Sequence, residues 1–380
     1  MKNILHITNW YPNKDNPMEA LFIKRQLLNL QNFCNNELWH IEVRAGAGLF
    51  SFQHKRISSW ETSYIIQTKV NIWFLKEMLT STLLFYLLLR RKILKWQFDA
   101  INFHIAYPLC LGLYWIQKFI KTPIYITEHW TAYRKFFNLT PNSRKLKKVK
   151  RIFHNQLFLI TVSNALLQDI IRFSGNKKIK YSVVPNFIDT NIFNYKPKLY
   201  KEITFFILNN WSTNKRPEIL IKAFAGFLKS NNRRGILKIG GYGIKWNEII
   251  SLVEAQDLQD NVRLLGKLSE PEIAFHMNSS HAFVQCSDYE TFSIVCAEAV
   301  CCGCPVIANK LPALEEYLDV QNSIMVDIPE VESYVSAFHE FFKIDFDRKS
   351  ISQNAHIRFD PDKTGWQYLS ALTLSDEVIL

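Results

Sequence analysis

Two glutamates, Glu290 and Glu298, are the residues of this sequence whose type and spacing most clearly allow chemistry. Glu298 lies between Ala297 and Ala299 in TFSIVCAEAVCC, an apolar stretch that predicts a buried helix. Because a buried carboxylate costs free energy unless it is hydrogen-bonded, Glu298 needs a partner, and a sugar or ribose diol offers two hydroxyl protons. The start of this helix, near residues 292–294, has free backbone N–H groups and a positive dipole end, which suit a phosphate.

A strand–loop–helix–strand unit must position these residues. FVQC (283–286) has the length and composition of a buried strand, and SDYET (287–291) is turn-like. The helix ends at Gly303, and PVIA (305–308) predicts the next buried strand. Such units form parallel sheets, which bind ligands at the carboxyl ends of their strands. Taken alone, the two glutamates also allow a plainer interpretation, as a solvated loop residue and a helix-capping residue.

The pair E-x7-E followed by EAVCCGCPVIA resembles the family 4 retaining glycosyltransferases, also called glycosyl transferases group 1, which have the GT-B fold. The resemblance implies an α/β protein with two Rossmann-like domains that face each other across a cleft. We expect an N-terminal acceptor-binding domain over residues 1–190 and a C-terminal nucleotide-sugar-binding domain over residues 191–358. A helix within residues 359–380 is expected to cross back to the first domain.

The resemblance also implies roles for single residues. In this family the first glutamate contacts the donor sugar and the second holds the nucleotide ribose, which correspond to Glu290 and Glu298. The family's R-x4-K carries two cations that neutralise the departing diphosphate. Lys215 matches the lysine, Asn210 stands at the arginine position, and Arg216 is a candidate for the missing charge. The other donor-binding positions implied are Gly241, Gly266, Thr291, Phe292, Ser293 and Ile294.

Two histidines of the first half, His104 and His129, stand at the ends of predicted strands. A lone histidine is more often structural, but the family places one after such a strand, facing the donor sugar and the reacting centre. His129 is therefore the third catalytic candidate, and His104 is a weaker one. The loop after the first strand carries a glycine in the family, whereas residues 18–20 here are Met, Glu and Ala. WYP at residues 10–12 resembles a start found in one bacterial branch of the family.

Charge is unevenly distributed along the chain. Residues 1–190 contain 27 Lys and Arg against 10 Asp and Glu, whereas residues 191–380 contain 19 against 24. A basic half indicates an anionic partner, and no RNA- or DNA-binding motif favours nucleic acid. Residues 134–153 carry eight basic side chains with apolar ones between them. They form either a solvated helix face or a patch that docks on an anionic membrane, and the sequence leaves both open.

Composition disfavours several other classes. Five of the seven cysteines lie within residues 286–304, in apolar surroundings where cysteine packs as a small hydrophobe, which favours a reducing compartment. Nothing in the sequence resembles a metal-binding D-x-D loop, and no second spaced cysteine pair or histidine cluster is present, so we expect no metal and no cofactor besides the nucleotide-sugar substrate. The run LLFYLLL (83–89) is far below the roughly 20 residues that a membrane span needs. We expect a cytoplasmic protein that is either soluble or peripheral on the inner face of the cytoplasmic membrane.

The resemblance implies a hexosyltransferase-type enzyme. It would move a sugar from a nucleotide-sugar to an envelope-glycan or lipid-linked acceptor with retention of configuration, as in polysaccharide or lipopolysaccharide biosynthesis. Two alternatives stay open. One is a nucleotide-sugar epimerase with the GT-B fold. The other is a non-catalytic GT-B binding subunit, which Asn210 and the missing loop glycine motivate.

Overall fold

The computed structural model describes residues 1–13, 19–69, 72–93, 97–140, 143–196, 202–230 and 234–373. The chain divides into two compact units. The N-terminal unit comprises Met1–Asn186 and the chain from Asp362 onward, and the C-terminal unit comprises Phe187–Pro361. The boundaries expected from the sequence, 190/191 and 358/359, lie close to these two points.

A mainly parallel sheet forms the centre of the N-terminal unit. Its strands are β1 (Asn3–Thr8), β2 (Asn35–Ala45), β3 (Ser51–Arg56), β4 (Glu61–Thr68), β5 (Ala100–His104), β6 (Ile124–Glu128), β7 (Phe158–Thr161) and β8 (Lys180–Val183). They are ordered β3-β4-β2-β1-β5-β6-β7-β8, and only the β3–β4 pair is antiparallel among the described strands. Sequence reasoning missed β3 and β4. Strand β3 is exposed along its whole length, so burial imposes no apolar alternation on it.

The connecting helices of this unit are α1 (Leu21–Leu30), α2 (Trp73–Ile93), α3 (Leu113–Phe119), α4 (Arg144–Ile152) and α5 (Asn164–Ser174). The predicted N-cap of α5 is confirmed, because the Ser163 hydroxyl accepts the Leu166 backbone N–H at 3.0 Å. The basic segment 134–153 is α-helical only from Arg144. Three consecutive residues before it have positive φ, which ends any right-handed helix: Phe136, Phe137 and Asn138.

Helix α4 directs its apolar side chains inward. Leu146, Val149 and Phe153 are at most 1% exposed. These three apolar residues therefore pack in the core of the unit and are not available to enter a membrane, as the membrane-docking alternative had them do. The outer face of the helix is basic, and its exposed side chains are Arg144, Lys147, Lys148 and Arg151.

A fully parallel sheet forms the centre of the C-terminal unit. Its strands are β9 (Thr204–Asn210), β10 (Ile236–Tyr242), β11 (Val262–Gly266), β12 (Ala282–Gln285), β13 (Val306–Asn309) and β14 (Ser323–Val326). Its helices are α6 (Pro217–Ser230), α7 (Trp246–Ala255), α8 (Glu270–Ser279), α9 (Ile294–Cys301), α10 (Val331–Phe341) and α11 (Arg348–Phe359). The strand order is β11-β10-β9-β12-β13-β14, so the direction of winding reverses between β9 and β12. Sheets of this kind bind ligands at the carboxyl ends of the strands beside that switch point.

The last described helix, α12 (Pro361–Ala371), packs on the N-terminal unit. The Tyr368 hydroxyl lies 2.8 Å from Asn102 Nδ2 and 2.7 Å from Thr127 Oγ1, on strands β5 and β6. A Cβ at Gly365 would lie 2.4 Å from the ring of Phe33, so this close approach requires glycine. Helix α12 is thus fixed to the sheet by a buried polar network and by tight packing.

Two sequence-based expectations are tested directly by the fold. All seven cysteines are free and buried, which confirms that they pack as small apolar residues. Burial raises the pKa of Cys286 to about 11 and that of Cys296 to about 12. Within the described residues, no helix combines the length and the apolar character that crossing a membrane requires.

Candidate active site

An ion pair between two neighbouring loops lies at the switch point of the C-terminal sheet. Lys215 is in the loop from β9 to α6, and Glu290 is in the loop from β12 to α9. The Lys215 ammonium donates to the Glu290 carboxylate and, at 3.2 Å, to Ser287 Oγ. Both side chains of the pair are only 12% exposed. The structure therefore brings together two of the three residues predicted to be catalytic, where a doubly wound sheet binds its ligand.

Gln285, the last residue of β12, holds this loop in place. Its side-chain amide donates to the Glu290 carboxylate at 2.7 Å. Its amide oxygen accepts from Ser293 Oγ at 3.1 Å and from Cys296 Sγ at 3.3 Å. One buried side chain thus links Glu290 to the beginning of α9. Sequence reasoning missed Gln285, although a polar residue that ends an apolar strand was the available signal.

Helix α9 begins at Ile294, later than its composition indicated, because Ser293 has a left-handed backbone with φ 65°. The Tyr317 hydroxyl lies 2.8 Å from the carbonyl oxygen of Phe292 and 2.9 Å from that of Ser293, and it fixes this turn. Phe292 and Ser293 are buried, whereas Thr291 and Ile294 are partly exposed. The first N–H groups of α9 have no acceptor within the helix, so the predicted donor-binding turn offers backbone donors to an anion.

Glu298 lies one helical turn after Ile294 and is 3% exposed. Cys296 lies two residues before Glu298 on the same helix, and its thiol indicates which charged side chains are nearby. Burial is the main reason for the raised pKa of this thiol, and the charges of Glu290, Lys215 and Glu298 also act on it. The two glutamates and the lysine therefore share one region around the first turns of α9.

Arg216 does not stand beside this region as a free cation. Its guanidinium donates to the Glu218 carboxylate and, at 3.1 Å, to Asp288. Hydrogen bonds to these two carboxylates hold the pKa of Arg216 above its usual value. Asn210, where the family has arginine, is the exposed last residue of β9 and carries no charge.

A second lysine that sequence reasoning missed lies next to Lys215. The ammonium group of Lys245, which directly precedes α7, donates to the Lys215 carbonyl oxygen at 2.7 Å. It also lies 3.7 Å from the Glu218 carboxylate. Lys245 is thus a cation near the switch point of the sheet.

At two of the predicted donor-binding positions, Gly241 and Gly266, local structure explains why the residue is glycine. Gly241 has φ 112°, and a Cβ there would lie 1.9 Å from the carbonyl oxygen of Asn209. Gly266 ends β11 with φ 65°, and a Cβ there would meet no atom within 4 Å. Glycine is therefore required by close packing at the first position and by backbone conformation at the second.

His129 belongs to the N-terminal unit, where it lies in a group of buried histidines near the carboxyl ends of β1, β5 and β6. His6 Nδ1 lies 3.1 Å from His104 Nε2, and the rings of His104 and His129 stack with centroids 6.1 Å apart. Burial lowers the pKa of His6 and of His129 to about 3 and that of His104 well below its usual value. All three rings are therefore neutral near pH 7.

Glu128 holds the loops beside these histidines. Its buried carboxyl group accepts the backbone N–H groups of Ala106 at 2.7 Å and His129 at 3.1 Å, and the Tyr133 hydroxyl. Burial raises the pKa of Glu128 to about 7, while these hydrogen bonds act to lower it. The sequence showed Glu128 at a strand end but not that it connects the loops after β5 and β6.

The loop after β1 is described only in part, because residues 14–18, and so the predicted position Met18, lie outside the described residues. Ala20 precedes α1 with φ 45° and ψ 36°. This left-handed conformation favours glycine, so the chain places an alanine where glycine would be less strained.

Comparison with known proteins identifies the family. Residues 189–358 match the family described as Glycosyl transferases group 1, and residues 43–192 match Glycosyltransferase Family 4. The chain belongs to these glycosyltransferases. The recognition made from Glu290, Glu298 and the stretch after them is thereby confirmed.

Curated relatives are distant. The chain is 23% identical over 243 residues to the alpha-monoglucosyldiacylglycerol synthase of Streptococcus pneumoniae, covering 59% of this chain and 54% of that protein. It is 26% identical over 246 residues to the N-acetylgalactosamine-N,N'-diacetylbacillosaminyl-diphospho-undecaprenol 4-alpha-N-acetylgalactosaminyltransferase of Campylobacter jejuni, covering 63% of this chain and 65% of that protein. The chain spans about a third to a half of the length of several curated relatives that it matches.

Solved structures show the fold. The sucrose-phosphate synthase of Thermosynechococcus elongatus superposes with a TM-score of 0.75 at 16% identity, covering 97% of this chain and 98% of that one. Alr3699/HepE of Anabaena, in complex with UDP, gives a TM-score of 0.71 at 16% identity, covering 98% and 100%. The predicted GT-B fold, with two parallel-sheet α/β domains, is confirmed.

Proposed function

We propose that the protein is a retaining, hexosyltransferase-type glycosyltransferase that moves a sugar from a nucleotide-sugar to a glycan or lipid-linked acceptor. The observation that carries the proposal is the Lys215–Glu290 pair at the switch point of the C-terminal sheet. Helix α9 begins beside this pair and carries Glu298 in its second turn. A carboxylate for hydroxyls, a cation and a helix N-terminus together suit the parts of a nucleotide-sugar.

Each part of the donor has a partner in this proposal. Glu298, a buried carboxylate in the second turn of α9, accepts hydrogen bonds from the ribose hydroxyls. The N–H groups at the start of α9 bind the diphosphate, and Glu290 accepts from hydroxyls of the donor sugar. Bound UDP in the Anabaena structure supports a nucleotide as the ligand class, since that chain has the same fold.

The chemical step follows from where charge develops. As the bond between sugar and diphosphate breaks, negative charge grows on the leaving oxygen, and Lys215 with the start of α9 stabilises it. In the structure the Glu290 carboxylate neutralises Lys215. When the donor binds, Glu290 turns to sugar hydroxyls and Lys215 to the diphosphate. The acceptor hydroxyl attacks the face from which the diphosphate departs and gives its proton to the departing phosphate oxygen. The configuration is therefore retained without a protein nucleophile, and no metal ion is part of the proposal.

The acceptor is proposed to lie at an anionic membrane surface on the cytoplasmic side. Two of the exposed basic residues of α4, Lys148 and Arg151, line a groove of about 600 Å³ that Trp115 also lines. Tyr114 and Trp115 on α3 are 55% and 59% exposed. Basic and aromatic side chains together suit the interface between anionic headgroups and acyl chains. The names of the two relatives above, which refer to diacylglycerol and undecaprenol, support a lipid-linked acceptor.

One assay separates this proposal from the alternatives. The protein is incubated with UDP-, GDP- and ADP-sugars, with and without a membrane extract as the acceptor source, and release of nucleoside diphosphate is measured. A glycosyltransferase releases nucleoside diphosphate faster when the acceptor is present, and NMR of the product gives its anomeric configuration. An epimerase converts the donor without acceptor, and a non-catalytic subunit binds the donor without turnover.

A further inference from the structure

Three aromatic residues follow three neighbouring strands of the N-terminal sheet. Trp10 follows β1, Tyr107 follows β5 and Trp130 follows β6. These strands are adjacent, and the direction of winding reverses between β1 and β5. The three rings, called here the aromatic platform, therefore lie at the edge and near the switch point where such a sheet binds ligands.

Ring contacts and backbone hydrogen bonds hold the platform in place. The rings of Trp10 and Trp130 meet edge to face with centroids 5.1 Å apart. Tyr107 lies nearly parallel to Trp130 at 6.3 Å. Glu128 accepts the backbone N–H groups of Trp130 at 3.4 Å and of Ala106 at 2.7 Å, which fixes the loops that carry two of the rings. A ligand would therefore meet a surface that is already ordered.

The platform offers specific chemistry to a ligand. All three rings are partly exposed, although Trp10 and Trp130 also pack against the core. Among the residues that the structure describes, no acceptor is present for the indole N–H of Trp10 or of Trp130. The Lys145 ammonium lies 4.8 Å from the centroid of the Tyr107 ring. The site thus combines aromatic faces, two available N–H donors and a nearby cation.

A sugar ring uses both the aromatic faces and the two indole donors. Its C–H bonds carry partial positive charge and pack on the negative face of an aromatic ring, while its hydroxyl oxygens accept from indole N–H groups. An acyl chain would cover the ring faces but leave both indole donors unpaired. A phosphate would use the lysine but not the ring faces. The combination therefore favours a carbohydrate over a lipid chain or a free anion.

We propose that the aromatic platform binds a pyranose ring of a glycan. If the protein acts as proposed above, this ring belongs to the acceptor, so its assignment as acceptor rests on the proposed function. The binding of a sugar at the platform does not. Trp130 is the central residue, because it contacts both other rings of the platform.

Saturation-transfer NMR tests this directly on the full chain. The probes are the methyl glycosides of glucose, galactose, N-acetylglucosamine and mannose, with octyl phosphate as the lipid-like probe. The variants are Trp130→Ala, Trp130→Phe and Trp10→Ala. Trp366→Ala is the matched control, because Trp366 is an exposed tryptophan of α12 outside the platform. Thermal unfolding of every variant checks that it is folded, and Trp130→Phe keeps a ring at the central position if the alanine variant does not fold.

We expect at least one glycoside to receive saturation from the wild type, strongest at the protons of one ring face. Trp130→Ala and Trp10→Ala should weaken this binding about five-fold, Trp130→Phe less, and Trp366→Ala not at all. The proposal is overturned if no glycoside is saturated, if only octyl phosphate is, or if Trp130→Ala and Trp130→Phe both bind like the wild type. Nucleotide-sugar binding by the same samples is measured separately. Donor binding without glycoside binding refutes the platform alone, and the reverse result refutes the proposed function alone.

Discussion

Lys215 and Glu290 neutralise each other across two loops of the C-terminal sheet. The ammonium donates to a carboxylate that Gln285 also holds at 2.7 Å, so the pair is fixed on both sides. With 12% of each side chain exposed, neither charge is strongly screened by water. In the proposed function a nucleotide-sugar separates these two charges, so that Lys215 contacts its diphosphate and Glu290 its sugar hydroxyls.

Replacing the lysine tests the leaving-group role. Lys215→Ala is expected to lower kcat by about 10²–10³-fold, because a preorganised electrostatic group is lost at the departing diphosphate. Arg216→Ala is the matched control at the next residue. It should have a much smaller effect, since Glu218 and Asp288 already neutralise that charge. Steady-state release of nucleoside diphosphate measures both. Nearly normal turnover of Lys215→Ala would move the role to another cation, with Lys245 the first to examine.

The turn before α9 can be weakened without changing a charge. Tyr317→Phe removes the hydroxyl that binds the carbonyl oxygens of Phe292 and Ser293, which we expect to cost about 1–3 kcal/mol. Because this turn presents the N–H groups proposed for the diphosphate, the KM for the donor should rise. Tyr368→Phe removes a buried hydroxyl of the N-terminal unit and should lower stability without changing that KM. An unchanged donor KM in Tyr317→Phe would separate the turn from donor binding.

Buried histidines make the stability of the N-terminal unit depend on pH. Burial lowers the pKa of His6 from 6.5 to about 3, so below pH 6.5 the unfolded chain binds a proton that the folded chain excludes. The stabilising contribution of the neutral ring is complete above pH 6.5. It is lost at about 1.4 kcal/mol per pH unit as the pH falls toward 3. His6→Asn should therefore show a shallower acid dependence of thermal unfolding than the wild type.

The controls for this prediction separate His6 from other groups. His54→Asn, at an exposed position on β3, should follow the wild-type curve. Glu128 acts in the opposite sense, because its pKa is raised to about 7 and its contribution is lost as the pH rises from 4.5 through 7. The test therefore compares, at each pH, the difference in thermal unfolding between the variant and the wild type. The pH dependence of one protein alone does not isolate His6. Equal pH dependence of His6→Asn and the wild type would contradict the assignment.

Membrane docking is tested by charge reversal on α4. Lys147, Lys148 and Arg151 are exposed, whereas Lys145 and Lys150 lie over the rings of Tyr107 and Phe136 and are left unchanged. Replacing the three exposed residues with glutamate should abolish co-sedimentation with phosphatidylglycerol vesicles, since each basic residue contributes about 1 kcal/mol. Salt should release the wild type, because exposed charges are screened over about 8 Å at physiological ionic strength.

The matched control reverses three exposed lysines of the C-terminal unit, Lys222, Lys229 and Lys343, and should bind like the wild type. Phosphatidylcholine vesicles should bind none of the proteins. If the wild type ignores phosphatidylglycerol at low salt, or if the α4 variant binds it equally well, the basic face of α4 is a solvated surface.

Sequence reasoning reached the C-terminal site because its signals are local. Glu290 and Glu298 stand in one strand–loop–helix unit, and apolar runs mark the strands on both sides. It missed Gln285 and Lys245, because their contacts depend on how loops from separate strands meet. The predicted start of α9 also differs from the observed one, because it too depends on backbone conformation that composition does not reveal. Composition favours a helix from Thr291, but the left-handed Ser293 delays its start to Ile294.

The N-terminal unit was less predictable. Strand β3 is exposed along its whole length, so its sequence has no alternation of apolar and polar residues that would predict a strand. For the basic segment 134–153 the sequence left two alternatives open, a solvated helix face and a patch that docks on an anionic membrane. The positive φ angles of residues 136–138 confine the helix to α4, whose apolar side chains pack into the core. The aromatic platform also escaped prediction, because Trp10, Tyr107 and Trp130 are far apart in sequence and meet only through strand order.

Nucleotide binding by Glu298→Gln tests the central claim most directly. Isothermal titration with UDP, GDP and ADP identifies the nucleotide that the wild type binds. Glu298→Gln should weaken it roughly ten- to hundred-fold, because a charged hydrogen bond to the ribose is worth about 1.5–3 kcal/mol. Glu254→Gln, at an exposed position on α7, should bind like the wild type. Failure of the wild type to bind any of the three nucleotides, or equal affinity of Glu298→Gln, would contradict the account.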